Sequence, residues 1–146
     1  MYRAPLVENR VLVIVAGANR ILAFRRTDGA VEWAYDLEAG ANDFGDSPLP
    51  VEIVEERVFV ARSDRLFCLE YATGRLVGQV PIPGGGRRAQ LLVDGSEVFV
   101  YGTTTLMCMD LEGRVRWQQP HGIVLNGSAT LALPGNVRPG DGFGNR

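Results

Sequence analysis

Hydrophobic residues in this chain fall in short runs that are separated by turn-forming residues. The run Val11–Val15 is apolar at every position, whereas Val31–Tyr35 and Val115–Trp117 alternate apolar with polar residues. Strict alternation predicts a half-buried strand, and a short β-branched run predicts a strand that is covered on both faces. Such runs are too short for surface helices. The pattern therefore predicts an all-β protein in which some strands lie between neighbouring sheets.

The runs recur in repeated units. Three similar triplets, Val11–Val13, Val58–Val60 and Val98–Val100, each start a series of landmarks that returns about every 40–45 residues. The landmarks are a small residue, a turn glycine and a later strand position: Ala23, Gly29 and Trp33 in the first unit, Cys68, Gly74 and Gly78 in the second, and Cys108, Gly113 and Trp117 in the third. Four short strands per unit predict antiparallel meanders, and their repetition predicts a β-propeller. A β-sandwich explains the strands but not the recurring landmarks.

The repeat divides one domain into sheets, which are the blades of a propeller. We expect a single propeller segment over residues 1–146, with blades at about 4–42, 47–86 and 88–122. The opening strand of a further unit is expected at about 128–133, before an irregular Gly- and Pro-rich tail over 134–146. The expected fold is thus all-β: a partial propeller of three four-stranded antiparallel blades and one extra strand.

The landmarks resemble the blade motif of the quinoprotein-like (PQQ-like) propellers, which reads roughly Ala-x-Asp-x-x-Thr-Gly-x-x-x-Trp. The resemblance covers about residues 4–133. Departures from the motif are Arg25 in the Asp slot and Asp28 in the Thr slot of the first unit, Gly78 in place of Trp in the second, and one residue deleted before Gly113 in the third. The resemblance implies that these residues are structural: the glycine makes a tight turn, and the tryptophan docks over the neighbouring blade.

Three blades are too few to close a ring. Propellers close with about four to eight blades, so three sheets form an arc whose end sheets expose apolar surface. We expect another chain to complete the arc, either a second copy in a two-fold ring or a different propeller-like chain. The alternative is that the sequence is a fragment of a longer propeller.

Charge and hydropathy narrow the expected partners. The chain has 15 basic and 17 acidic residues, a net charge of −2, and no basic stripe that would bind nucleic acid. Its apolar runs are far shorter than the roughly 20 residues of a membrane-spanning helix. The start, Met1–Pro5, lacks the pattern of a secretory signal. We therefore expect a cytoplasmic protein without a nucleic-acid or membrane partner.

Residues with reactive side chains are few and scattered. Cys68 and Cys108 occupy equivalent small, inward-facing positions, which favours buried packing residues over a redox pair. His121 stands alone, and Ser47 and Ser128 have no paired His and Asp, so no metal cluster or catalytic triad is indicated. We expect no catalytic, metal or cofactor-binding residues.

Three polar or glycine-rich loops contain groups of the kind that bind anions or calcium. Pro83–Arg88 combines glycine amides with two arginines, as anion-binding loops do, but it lacks the Lys-Ser/Thr of a phosphate loop. Asn42–Asp46 and Asp141–Asn145 are rich in oxygen ligands, but their spacing fits no calcium loop. We expect the first two loops to be connections between blades and the third to be part of the tail.

These observations favour a non-enzymatic scaffold or protein-interaction module. The resemblance leaves two further functions open. A fragment of a quinone-dependent dehydrogenase would need a calcium-type site, a catalytic acid near the axis and export, none of which is visible. An outer-membrane assembly scaffold would carry an export signal and a lipid-anchoring cysteine near its start, yet the first cysteine is Cys68. A lectin is a fourth reading, but no polar trio repeats between the blades.

Overall fold

The computed structural model describes residues 12–17, 19–37, 49–62, 65–84, 89–123 and 130–138. Every regular element in these ranges is a strand, and every pair of strands is antiparallel. The strands are β1 (Leu12–Gly17), β2 (Arg20–Arg25), β3 (Val31–Asp36), β4 (Val51–Val54), β5 (Arg57–Arg62), β6 (Arg65–Glu70), β7 (Leu76–Pro81), β8 (Gln90–Asp94), β9 (Glu97–Tyr101), β10 (Thr105–Met109), β11 (Val115–Pro120), β12 (Leu131–Leu133) and β13 (Asn136–Arg138).

The strands form meanders in chain order. Among the described residues, blade 1 comprises β1–β3, blade 2 β4–β7 and blade 3 β8–β11, and β12–β13 form a separate end hairpin. The part of blade 1 that is expected at residues 4–11 lies outside the described residues. Strand order follows chain order because each strand turns back directly onto its predecessor through a short polar turn. The small-residue landmarks pair with the third landmark of each unit, in the order Ala23 with Trp33, Cys68 with Gly78 and Cys108 with Trp117. A register shift follows the small residue in all three blades, so the units share one local geometry.

The turn glycines adopt the left-handed conformation that other residues avoid. Gly29, Gly74 and Gly113 have φ angles of 77°, 76° and 85°. In the first two turns the glycine amide donates to the carbonyl four residues earlier, whereas Gly113 N donates to Asp110 O at 3.1 Å, three residues earlier. The shorter bond accommodates the residue that is deleted from the third unit.

Blade 2 is buried on both faces. Its residues Val58, Val60, Phe67 and Leu69 pack with blade 1, and the alternating residues Phe59, Ala61, Leu66 and Cys68 pack with blade 3. Side chains alternate between the two faces of a strand, which explains why β5 and β6 are apolar at almost every position. The molecule therefore has two cores, each between a pair of neighbouring blades.

The end of the chain differs from the expected irregular tail. Residues 134–146 were expected to lack regular structure, yet Asn136–Arg138 pair with Leu131–Leu133, so the expected extra strand is one half of a hairpin. The cause is the turn Pro134-Gly135: proline fixes its own φ, and Gly135 supplies the positive φ of 77° that returns the chain. This end hairpin packs against β8.

Candidate interaction surface

Trp33 joins blade 1 to blade 2. Its side chain is only 8% exposed, and its indole Nε1–H donates a hydrogen bond of 2.9 Å to the carbonyl oxygen of Tyr71. The indole ring lies directly on Gly74, where an added Cβ would come within 2.5 Å of ring carbons. The Tyr71 hydroxyl lies 2.9 Å from both the amide nitrogen and the carbonyl oxygen of Leu12, accepting from one and donating to the other. Each blade thus places one aromatic side chain on the other.

The junction between blades 2 and 3 lacks this pair. Gly78 occupies the tryptophan position, and a Cβ on Gly113, the counterpart of Gly74, would meet nothing within 4 Å. Apolar packing joins these blades, together with an ion pair of 3.2 Å between Arg57 Nη2 and Glu112 Oε1. The glycine seat on blade 3 is therefore formed but unfilled.

Blade 3 ends in an exposed tryptophan. Trp117 holds the position of Trp33 but is 43% exposed, because no glycine turn of a following sheet covers it in the described part of the chain. Its ring contacts Phe99 at 6.3 Å between centroids, and it stands beside Cys108 in the register. We call this surface the Trp117 face: Phe99, Leu106, Cys108 and Trp117.

Blade 1 ends in an apolar surface on the opposite side of the arc. We call it the Val13 face; it comprises Val13, Val15, Leu22, Phe24 and Val31, which are cross-strand neighbours. Val13, Val15 and Val31 are 49%, 47% and 57% exposed. The alternate residues of the same strands, such as Ile14 and Ile21, pack against blade 2. Contiguous exposed apolar surface of this kind marks an interaction site.

The cysteines are structural. Both are free and buried, with Cys68 facing blade 3 and Cys108 lying on the Trp117 face. Burial raises the pKa of the Cys68 thiol to about 11, and it also raises the pKa of Cys108. Protonated thiols that point to different sides of blade 3 do not make a redox pair.

His121 is held by both ring nitrogens. Its Nδ1 accepts from the amide of Ile123 at 3.0 Å, so the proton sits on Nε2, which donates to the carbonyl of Gly102 at 3.0 Å. The ring stacks on Tyr101 with centroids 4.7 Å apart. Neither nitrogen faces an open site, and the residue acts as a packing group over Tyr101. The Tyr101 hydroxyl is buried without a hydrogen-bond partner among the described residues, and burial raises its pKa.

The remaining candidates give little further chemistry. In 12–17, 19–37, 49–62, 65–84, 89–123 and 130–138, no group of three His, Cys, Asp or Glu side chains is placed to hold a metal. No helix in those ranges is long and apolar enough to cross a membrane. The Pro83–Arg88 loop is described only at Pro83 and Gly84, where the hydroxyl of Thr104 donates to the Pro83 carbonyl. Ser47, Ser128, Asn42–Asp46 and Asp141–Asn145 lie outside the described residues.

The contact of Tyr71 with blade 1 could not be predicted from the sequence. Nothing in the repeat marks this position, because its counterparts are Arg26 in blade 1 and Leu111 in blade 3. The local signal is an aromatic residue directly after β6, at the start of the turn that contains Gly74.

Comparison with known proteins agrees with this architecture. The sequence profile described as outer membrane protein assembly factor BamB matches residues 1–127. No curated protein sequence matches the chain. The structure is similar to BamB from Moraxella catarrhalis, with a TM-score of 0.62, 21% identity, and coverage of 79% of this chain and 36% of that one.

Quinoprotein enzymes share the fold as well. A europium-containing methanol dehydrogenase matches with a TM-score of 0.56 and 17% identity, covering 73% of this chain and 22% of the enzyme. The quinohemoprotein alcohol dehydrogenase of Comamonas testosteroni matches with a TM-score of 0.54 and 19% identity, covering 75% and 19%. The chain spans about a third or less of the length of these structures. The expected PQQ-like resemblance and the partial β-propeller are confirmed; completion by a second chain stays a prediction.

Proposed function

The chain belongs to the family of the outer membrane protein assembly factor BamB, and from this premise we propose that it is a non-enzymatic β-propeller scaffold that binds other polypeptides. The matching profile describes an assembly factor rather than an enzyme. The family name concerns outer membrane proteins, so the expectation that the chain has no membrane partner gains no support from it. The cytoplasmic location stays a prediction.

The observation that carries the proposal is the exposure of large apolar side chains at both end faces. Inside the molecule, a blade face is covered by the next blade, as Trp33 is by Gly74 and Tyr71. At the two ends the same kinds of side chain remain in contact with water, most clearly Trp117 and Val13. Burying apolar area stabilises an assembly by about 25 cal/mol per Å², so a polypeptide that supplies a matching sheet would bind here.

Site-specific photo-cross-linking tests this function. The photoreactive residue benzoylphenylalanine replaces Val13 on one end face or Leu106 on the other, and Gln79, an exposed residue of the middle blade, serves as control. We expect both end-face positions to give an adduct of defined mass with a polypeptide, and Gln79 to give none. If neither end face forms an adduct in cells that make the protein, the scaffold function is wrong.

The second candidate is a piece of a quinone-dependent dehydrogenase. It is favoured by the fold shared with the methanol and alcohol dehydrogenases over about three quarters of this chain. Titration of the purified chain with pyrroloquinoline quinone and calcium separates the two functions. A saturable change in the quinone absorbance would support the dehydrogenase reading, and an unchanged spectrum supports the scaffold.

A further inference from the structure

We propose that the Trp117 face of one copy binds the Val13 face of a second copy, with Trp117 seated on Gly29 of the partner copy. The inference rests on the proposed function, because it names the polypeptide that covers the end faces. It is argued from the junction between blades 1 and 2, which shows how this chain joins two of its own sheets.

The turn of blade 1 is built like the turn that receives Trp33. In blade 2, Gly74 N donates to Glu70 O and Glu70 N donates to Arg75 O, both at 2.8 Å. In blade 1 the matching bonds run from Gly29 N to Arg25 O at 2.8 Å and from Arg25 N to Ala30 O at 2.7 Å. Gly29 therefore corresponds to Gly74.

The seat at Gly29 is open. A Cβ on Gly29 would meet nothing within 4 Å, whereas one on Gly74 would collide with the indole of Trp33. By the same alignment, Arg26 corresponds to Tyr71, so its carbonyl would accept the hydrogen bond of a docked indole. Within the described residues, Trp117 thus lies on no turn glycine, and no tryptophan lies on Gly29.

Charges at the same positions are complementary. Tyr71 reaches back to Leu12. The strand register matches Val13–Val15, rather than the triplet Val11–Val13, with Val58–Val60 and Val98–Val100, so Leu12 corresponds to Arg57 in blade 2 and to Glu97 in blade 3. A docked copy would place Arg26, the counterpart of Tyr71, beside Glu97, which also makes an ion pair of 3.2 Å with Arg116 of its own blade. Across the junction of blades 2 and 3, the corresponding Arg57 already makes an ion pair with Glu112 at 3.2 Å. This position therefore accommodates a charged pair between blades.

The end hairpin and Trp117 lie at opposite edges of blade 3. The end hairpin packs against β8, the first strand of blade 3, whereas Trp117 lies on β11, the last. The hairpin thus leaves the edge of blade 3 that carries Trp117 to the partner, whose described blade 1 strands are β1–β3. Each copy offers one Trp117 face and one Val13 face, so a two-fold arrangement of two copies forms two identical junctions.

Two variants, each of which alters one side of the contact, test it. Trp117→Ala removes the docking ring, and Gly29→Asn fills the seat with a residue that tolerates positive φ. We expect the wild-type chain to show twice its mass of 15.9 kDa by light scattering, and each variant alone to dissociate at least 100-fold more readily. A mixture of the two variants retains one intact junction, in which Trp117 of the copy with the altered turn docks on Gly29 of the copy that lacks its own docking ring. The mixture should therefore associate more tightly than either variant alone.

Matched controls separate the contact from general destabilisation. Gly113→Asn changes a turn glycine of the same conformation at a seat that the proposed contact does not use, and Ile53→Ala truncates a residue of blade 2 that is 44% exposed, like Trp117. Both should leave the dimer mass unchanged. Arg26→Glu and Glu97→Arg should each weaken association, and the double variant should regain most of it.

The outcomes distinguish this inference from the proposed function. A wild-type chain that stays at its monomer mass up to high concentration overturns the second-copy contact. If the end faces then still cross-link to another polypeptide, the scaffold function stands. A dimer that survives Trp117→Ala, or a mixture that associates no better than its components, also overturns the inference.

Discussion

One tryptophan and one glycine from different sheets share a single site in this fold. Trp33 buries its ring only because Gly74 has no side chain, and Gly74 tolerates its φ of 76° for the same reason. The buried indole N–H is satisfied by the Tyr71 carbonyl, so the contact leaves no unpaired donor. Position 74 therefore requires both a positive φ and the absence of a side chain under the ring, whereas position 113 requires only the positive φ.

A pair of alanine substitutions separates these requirements. Gly113→Ala should lower the free energy of unfolding by about 1–2 kcal/mol, the usual cost of a left-handed residue. Gly74→Ala should lower it by about 2–4 kcal/mol, because its Cβ would also displace the ring of Trp33. Urea unfolding measures both values. Equal losses would mean that the ring moves aside without cost.

Thiol reactivity reports on the two cores. At pH 8 the folded chain should react with no equivalents of a disulfide reagent, because Cys68 has a pKa of about 11 and both thiols are buried. Both should react in denaturant. Gln79→Cys, at an exposed position of blade 2 outside both end faces, is the positive control. Rapid labelling of a native cysteine would show that a blade junction opens easily.

At the scale of the element, each outer turn is held by a local acidic residue. In blade 3, Asp110 accepts from the amides of Glu112 and Arg114, both at 2.9 Å, and from Arg114 Nε at 3.1 Å. In blade 2, Glu70 accepts from Thr73 and Arg75. These bonds favour the charged carboxylates and lower the pKa of both acids.

The Asp110 turn should make stability sensitive to acid. The hydrogen bond from Arg114 N is the largest cause of its lowered pKa. A pKa that is lower in the folded state adds stability above the unfolded value of about 3.9, and this stability is lost as the pH falls through the folded pKa. Asp110→Asn should therefore lose less stability than the wild type between pH 7 and pH 3 in urea unfolding. Parallel losses in both proteins would contradict this role.

At the scale of the molecule, the two internal junctions are unequal. Blades 1 and 2 share the Trp33 contact, whereas blades 2 and 3 meet at Gly78 and the unfilled seat on Gly113. The difference arises from one position in the repeat. It suggests that the second junction is open to improvement.

Filling that seat should stabilise the arc. A Cβ on Gly78 would meet nothing within 4 Å, so Gly78→Trp has room to place its ring on Gly113, near the Leu111 carbonyl. We expect the free energy of unfolding to rise by about 1–2 kcal/mol, which is the usual gain from filling a cavity. In the double variant, Gly113→Asn should remove the stability gained from Gly78→Trp, in addition to the stability that Gly113→Asn costs by itself. A gain that is independent of Gly113 would mean that the ring packs elsewhere.

Local sequence patterns are sufficient to predict the strands, the turns and the repeat. Alternation along a strand and the positive φ of Gly29, Gly74 and Gly113 depend on neighbouring residues of the same segment, so local patterns predict them. The same patterns indicated that both cysteines are buried. Local patterns failed at the tail, where one Pro-Gly turn creates the hairpin that ends in β13.

The contacts between blades, in contrast, depend on how distant segments of the chain fold together. Trp33 and Trp117 occupy the same position of the repeat, yet Trp33 is buried and Trp117 is 43% exposed. Likewise, Gly29, Gly74 and Gly113 look alike in the sequence, but only Gly74 carries a ring. The reason is that burial between sheets depends on a surface from a distant segment, and the pattern of one unit does not contain its neighbour.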